Sequence, residues 1–487
     1  MGLERWTLGG LALCGGMLIS CGDAGGSEMS GDGSADDAAS ITASAGGTVN
    51  TDAADGTAEG EGDGTASTPG SATDDGNPAD DADDGPGEGA NPVVFDVNTI
   101  PDAGEGGVGG CGCGNSEGFS FIWIANSTQS TVTKLNTVTM AEEGRFLTRA
   151  DGAGSPSRTS VSIDGRAVGV ANRNGNVVKV WAHEDFCDPM NNGVPGIQTS
   201  TDMNFLPWGQ DDCVAWEAPF NYSTQRPVAW GPGPLNPNNC EYEEQVLWTG
   251  GCQVGVHTWV QVSRIDGETG VILDTIDVPD FGCSSLSPYG AAIDSNGDFW
   301  MTNLVPGTDR LAHVDVNGIL VEVITPPLTP YGMTVDSQGF VWLAAWTGSN
   351  GNTAGRYDPI AQTWDLANNH VANVMSGIQE DSEGRMWMNY WSYDGDSSDP
   401  GLVYIDRDTM LVSDPFGIGC GSSACRGMSI DLDGNVWSTS SAQNMAFRFN
   451  PDTLAVDTYN QLVSPYTYSD MTGWALQNAE CNGVPTG

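Results

Sequence analysis

A repeat limits what this chain can fold into. From about residue 118 onward one pattern recurs: a hydrophobic stretch ending in Asp, a short polar turn containing Gly, then a stretch carrying Trp. The clearest copies are 292–300, 334–342, 379–387 and 429–437, with tryptophans spaced 42, 45 and 50 residues apart. Glycine after a polar pair supplies the positive φ of a tight hairpin, and the flanking apolar alternation supplies its strands. Each copy continues to a third strand ending in Asp or Asn, as at 312–315, 355–358, 403–406 and 447–450, and then to a fourth apolar stretch. Four strands per 40–50 residues is the signature of a β-propeller blade.

Weaker copies at 121–136, 162–181 and 246–266 bring the count to seven. The first unit lacks an inner strand, and the chain end has a spare one at 469–476. The reading is an all-β, seven-bladed propeller over 116–487, with the C-terminus pairing into the first blade so that no sheet edge stays open. A six-bladed ring with an appended hairpin is the alternative. Between the second and third units lies a stretch rich in Pro, Asn, Trp and Cys, 185–240, read as an inserted loop. Its tryptophans argue against full disorder, and loops of that length in compact domains tend to be functional.

Ahead of the repeat stand two other regions. Residues 1–20 carry Arg5 and an apolar run of 14 residues, 6–19, too short to span a bilayer and of the size of a signal-peptide core. The run ends Leu18-Ile19-Ser20-Cys21, which resembles a bacterial lipobox and makes Cys21 the lipid acceptor. Gly22, not Asp, follows it, which points to the outer membrane of the cell envelope, with the periplasmic or surface face left open. Residues 21–115 read as a tether. Within 22–110 there are 20 acidic residues, no Lys or Arg, and Phe95 as the only aromatic residue. Such a segment cannot bury enough apolar surface to offset its chain entropy.

The cysteines fit an exported protein. Ten of the 12 remain once Cys14 and Cys21 are set aside, and in an oxidising compartment these read as disulfides. Cys420 and Cys425, five apart, are expected to pair with each other. A bond from Cys111 or Cys113 to Cys481 would latch the ring, but spacing does not fix the whole map.

The repeats also carry a family resemblance. Pro330-Tyr331-Gly332-Met333-Thr334-Val335-Asp336, then Gly339-Phe340-Val341-Trp342 and Gly355-Arg356-Tyr357-Asp358-Pro359, resemble the streptogramin B (virginiamycin B) lyase-like propellers, with NHL-type propellers sharing the logic. Trp123-Ile124-Ala125-Asn126 resembles a YVTN-type repeat. The lyases use His and Glu around Mg²⁺ on the central face. At the corresponding positions this chain has Tyr289, Tyr331, Met375 and Arg426, then Asn303, Ala345, Tyr390 and Ser440. The four histidines, His183, His257, His313 and His370, fall elsewhere. A hard cation needs oxygen ligands and a base must reach its proton. The activity is therefore not carried over. No catalytic residue, resident metal or cofactor is expected, Mg²⁺ entering only with the lyase alternative.

Propellers gather the starts of their inner strands around one mouth. The candidate ligand-binding residues there are Tyr289, Asn303, Tyr331, Trp346, Asn389, Trp391 and Arg426. Aromatic rings with amide and guanidinium donors suit a small molecule, a glycan or a protein segment. The repeat tryptophans Trp300, Trp342, Trp387 and Trp437 read as packing residues. With 16 basic against 64 acidic residues and a net charge of −48, the chain is no nucleic-acid binder, and it reaches a membrane only through a lipid anchor. The favoured function is a non-catalytic binding or scaffold module, with a metal-dependent lyase of departed active site as the alternative.

Overall fold

The computed structural model describes residues 111–115, 118–346, 352–368, 372–393, 400–421 and 425–482. Residues 1–110, which include the segment read as a signal, Cys21 and the acidic stretch, and His370 lie outside the described residues.

Six four-stranded antiparallel sheets and one three-stranded sheet follow one another as seven blades. Their innermost strands are Phe121–Asn126 in the incomplete first sheet, then Pro156–Val161, Thr224–Gly231, Gly290–Ile293, Pro330–Val335, Ala372–Glu380 and Gly427–Ile430. The seven-bladed propeller is therefore the fold, not the six-bladed alternative. Core clusters lie between successive blades, as where Trp342 packs with Met375, Met388 and Val403.

Each repeat hairpin is held by one carboxylate. Asp336 Oδ1 accepts the amides of Gln338 and Phe340, both at 2.9 Å, and Oδ2 accepts the Trp342 indole N–H at 2.7 Å. Asp294 with Trp300, Asp381 with Trp387 and Asp431 with Trp437 repeat this, the indole bonds being 2.7–2.8 Å long. The four tryptophans are at most 1% exposed, so the indole fills core while its N–H is satisfied by the turn. Gly339 at φ +85° occupies the turn position that an L side chain would strain.

The ring closes through the chain end. Ala125 O accepts from Tyr466 N at 3.0 Å, Trp123 N donates to Met471 O at 2.9 Å, and Ala125 N donates to Thr467 Oγ1 at 3.0 Å. On its other flanks the same segment meets both neighbouring inner strands. The Ser469 hydroxyl accepts from Thr159 N at 2.9 Å, and those of Thr472 and Ser429 lie 3.0 Å apart. Residues 464–472 thus fill the missing inner position of blade 1.

Two expectations change in detail. The spare strand lies earlier than 469–476, because Gly473 turns at φ +85° and Trp474–Asn482 is a helix. Asp470 starts that helix, its carboxylate accepting the amides of Gly473 at 2.9 Å and Leu476 at 3.1 Å. Ala, Leu, Gln and Glu then favour helix over strand. The stretch 185–240 is likewise more than an insertion. It supplies Val214–Pro219, the outer strand of blade 2, and Thr224–Gly231, the inner strand of blade 3. Pro219, Pro227 and the nearby cysteines hide that alternation.

All ten cysteines of the domain are bonded: Cys111–Cys240, Cys113–Cys481, Cys187–Cys213, Cys252–Cys283 and Cys420–Cys425. Residues 111–115, placed in the tether by composition, are pinned to the propeller by the first two.

Candidate functional site

The two ends of the central channel differ. The C-terminal helix covers the end where inner strands finish. Trp474 Nε1 donates to the carbonyl of Glu380, last residue of its strand, at 2.8 Å, and Asn478 Nδ2 donates to the Glu380 carboxylate at 2.6 Å. Leu476 joins Trp230 and Ile293 in the same cluster. The other end, where inner strands begin, is closed lower down by a floor of tyrosines. Between floor and helix remains a cavity of about 30 Å³ bordered by Ile378, Gln379, Tyr468, Asp470 and Leu476. The mouth is therefore blind.

Tyr289 and Tyr331 precede or open the inner strands of blades 4 and 5, and Tyr466 and Tyr468 come from the closing segment, where alternate residues share a face. All four rings are buried, at 1–8% exposure. The Tyr466 hydroxyl lies 3.0 Å from that of Tyr289 and 3.2 Å from that of Tyr331, and the Tyr331 and Tyr468 hydroxyls are hydrogen-bonded. Trp346 stacks on Tyr331 at 4.3 Å between ring centres and meets Trp391 edge-on at 4.8 Å.

Four arginines stand over these rings. Arg158, 1% exposed, lies 4.8 Å from the Tyr289 ring and 4.4 Å from that of Tyr468. Half-buried Arg173 sits 4.3 Å from the Tyr466 ring, Arg226 5.2 Å from Tyr289, and Arg426 4.7 Å from Trp391. Among the described residues, each Nε of the four, Nη2 of Arg158 and the indole N–H of Trp391 lack a hydrogen-bond partner.

Burial alone would raise the pKa of Tyr466, but the charges of Arg226, Arg173, Arg426 and Arg158 outweigh it and bring the hydroxyl down to about 6. Burial raises Tyr289, Tyr331 and Tyr468 instead. Arg173 is lowered to about 10 by burial and by repulsion from Arg226 and Arg158.

Of the residues expected at the mouth, Tyr289, Tyr331, Trp346, Trp391 and Arg426 come together there. Asn303 instead accepts from Arg310 N at 2.8 Å and donates to Thr308 O at 3.0 Å, organising its own loop. Asn389 is fully buried, accepting from the Ser438 hydroxyl at 2.6 Å and donating to Gly427 O at 3.0 Å. Met375, on the inner strand of blade 6, packs in the core against blade 5. Arg158, Arg173, Arg226, Tyr466 and Tyr468 were missed. For the three arginines the available signal was scarcity, since only 15 Lys or Arg stand after residue 110; the two tyrosines carry no such signal.

Two other features belong elsewhere. Asp294, Asp298 and His313 place ligand atoms within 4.8 Å of one another. However, Asp294 already accepts three N–H groups as its counterparts do, and His313 Nε2 bonds Asp298 at 2.8 Å while stacking on Trp300. That set is accounted for by the hairpin. An open hollow of about 450 Å³ beside blade 3 is lined by Phe220, Tyr222, Val256 and His257, with none of the four arginines in its lining.

No family model and no curated protein matches the chain. Solved structures that it resembles include a functionally unknown protein from Desulfotomaculum acetoxidans, at 14% identity and TM-score 0.48, over 72% of this chain and 97% of that one. Virginiamycin B lyase from Staphylococcus aureus aligns at 15% identity and TM-score 0.44, over 66% of this chain and 90% of that one. AztD from Citrobacter koseri aligns at 11% identity and TM-score 0.42, over 72% and 97%.

Proposed function

We propose that this protein is an exported, lipid-anchored recognition module whose blind propeller mouth binds a small ligand without transforming it. The observation that supports binding is the convergence of buried tyrosines, two half-buried tryptophans and four arginines that have no carboxylate partner among the described residues. Aromatic faces supply contact area, and unspent N–H donors supply orientation. Support for the anchor is the lipobox-like Leu18-Ile19-Ser20-Cys21 and the acidic stretch behind it.

Thermal-shift measurements on the full chain test the mouth, using neutral oligosaccharides, short peptides and small anions against the protein and its Trp346→Ala/Trp391→Ala variant. A ligand that stabilises the parent and not the variant supports the reading. Ligands acting equally on both would overturn it, as would magnesium-dependent opening of a cyclic depsipeptide, which would restore the lyase alternative. For the anchor, labelled palmitate should enter the parent and not Cys21→Ser. Equal recovery of both in the soluble fraction would exclude lipidation.

A further inference from the structure

The domain has 13 arginines after residue 110. Among the described residues, eight of them form ion pairs with Asp or Glu: Arg145, Arg149, Arg166, Arg264, Arg356, Arg385, Arg407 and Arg448. Arg310 is satisfied by the carbonyls of Asp280 and Asp309. The remaining four are those of the mouth. In a chain so rich in carboxylates, the guanidiniums that have no carboxylate partner among the described residues are gathered in one place.

Such an arrangement is costly unless something negative stands among the charges. Their other contacts do not supply it. Arg158 Nη1 donates to Ser157 O, Arg173 Nη1 to the Ser155 hydroxyl, and Arg226 Nη2 to Ser285 O. Among the described residues, the group that faces all four and can carry negative charge is Tyr466. Its oxygen has two tyrosine hydroxyls in reach as donors, and a phenolate can only accept. One phenolate against four guanidiniums leaves a surplus of positive charge, and Arg173, Arg226 and Arg426 are only partly buried, Arg426 lying over the Trp391 ring.

We propose that the mouth is an oxyanion site, taking the phosphate, sulfate or carboxylate group of a small ligand with a planar body, and that Tyr466 is its built-in counter-ion, gaining a proton when the ligand's charge arrives. This rests on the mouth being the ligand site. The anion seats among the guanidiniums and the planar body lies against Trp346 and Trp391. The proton comes from solvent and forms the Tyr466 O–H bond. No bond of the ligand breaks. The other titratable groups facing Tyr466 are Tyr289, Tyr331 and Tyr468, whose burial keeps them protonated. A polyanion is disfavoured, because it would meet a net charge of −48 on its approach.

Calorimetry on the full chain near neutral pH tests this, with sulfate and benzenesulfonate as probes because neither titrates there. Both should bind with uptake of a fraction of a proton, read from two buffers of different ionisation enthalpy. Benzenesulfonate should be tighter by up to about ten-fold, an advantage lost in Trp391→Ala. Arg173→Gln/Arg226→Gln, at half-exposed positions, should weaken both probes by about ten-fold or more. Tyr466→Phe should still bind sulfate, take up no proton, and lack the phenolate ultraviolet band that sulfate diminishes in the parent. Binding without proton uptake, or an unchanged band, would overturn the counter-ion role. Failure of both probes would overturn the oxyanion site. If a neutral ligand then still lost its thermal shift in the tryptophan variant, the mouth would stand as a binding site for different chemistry.

Discussion

At the scale of single residues, function and stability pull on the same groups. Tyr466 loses its proton at about 6 in the fold against an ordinary 10.0. Between those values the unfolded chain holds a proton that the folded one does not. Its contribution therefore grows as pH rises from about 6, is complete above 10, and is lost as pH falls through 6. The parent should gain stability relative to Tyr466→Phe across that window, measured as the difference between their urea midpoints. Asp336 is the structural counterpart. Removing its carboxylate in Asp336→Ala orphans the Trp342 indole and two turn amides, for a loss of about 3 kcal/mol in chemical denaturation. The packing role of the repeat tryptophans was legible from spacing alone. The carboxylate–indole bond was not, because nothing in a linear pattern says that positions six apart touch across a hairpin. Nor does periodicity identify Arg158 or Tyr466 as neighbours, since they lie 308 residues apart and meet only on closure.

At the scale of elements, close approach and helix chemistry dominate. A Cβ on Gly332 would stand 2.2 Å from the Ser376 carbonyl oxygen, backbone of the next blade's inner strand. Gly332→Ala must push two inner strands apart, and a loss of about 1–3 kcal/mol with an unchanged β-sheet circular-dichroism spectrum is expected. The C-terminal helix carries Glu480, whose Oε1 has no partner and which burial, with help from the Asp294 charge, raises to about 8 from 4.5. Here the sign is opposite to that of Tyr466. The folded state retains a proton that the unfolded chain gives up, so this contribution is full below about 4.5 and is lost as pH rises towards 8. Glu480→Gln should remove that decline, and its urea midpoint should exceed the parent's by more at pH about 8 than at pH about 5. Blades 4 to 7 were readable because each keeps its Asp–Gly–Trp punctuation. Closure by the chain end was readable from the missing strand. The helix was not, because Trp474-Ala475-Leu476 fits strand and helix alike until Asp470 is seen capping it.

At the scale of the whole molecule, one covalent bond spans nearly everything described. Cys113–Cys481 joins positions 368 residues apart and ties down the helix that covers the channel. Cys113→Ser/Cys481→Ser should lower stability by about 2–5 kcal/mol, and in hydrogen exchange the helix amides should lose protection before the blades do. The same corner of the fold sets a direction. Gly114 N donates to the Tyr242 hydroxyl at 2.7 Å, and Asn115 N to the Gln477 side chain of the helix at 3.3 Å. The polypeptide thus enters its propeller from the covered side, diametrically away from the arginines. On the proposed reading of an anchored chain and a ligand-binding mouth, attachment and recognition use opposite ends of the ring.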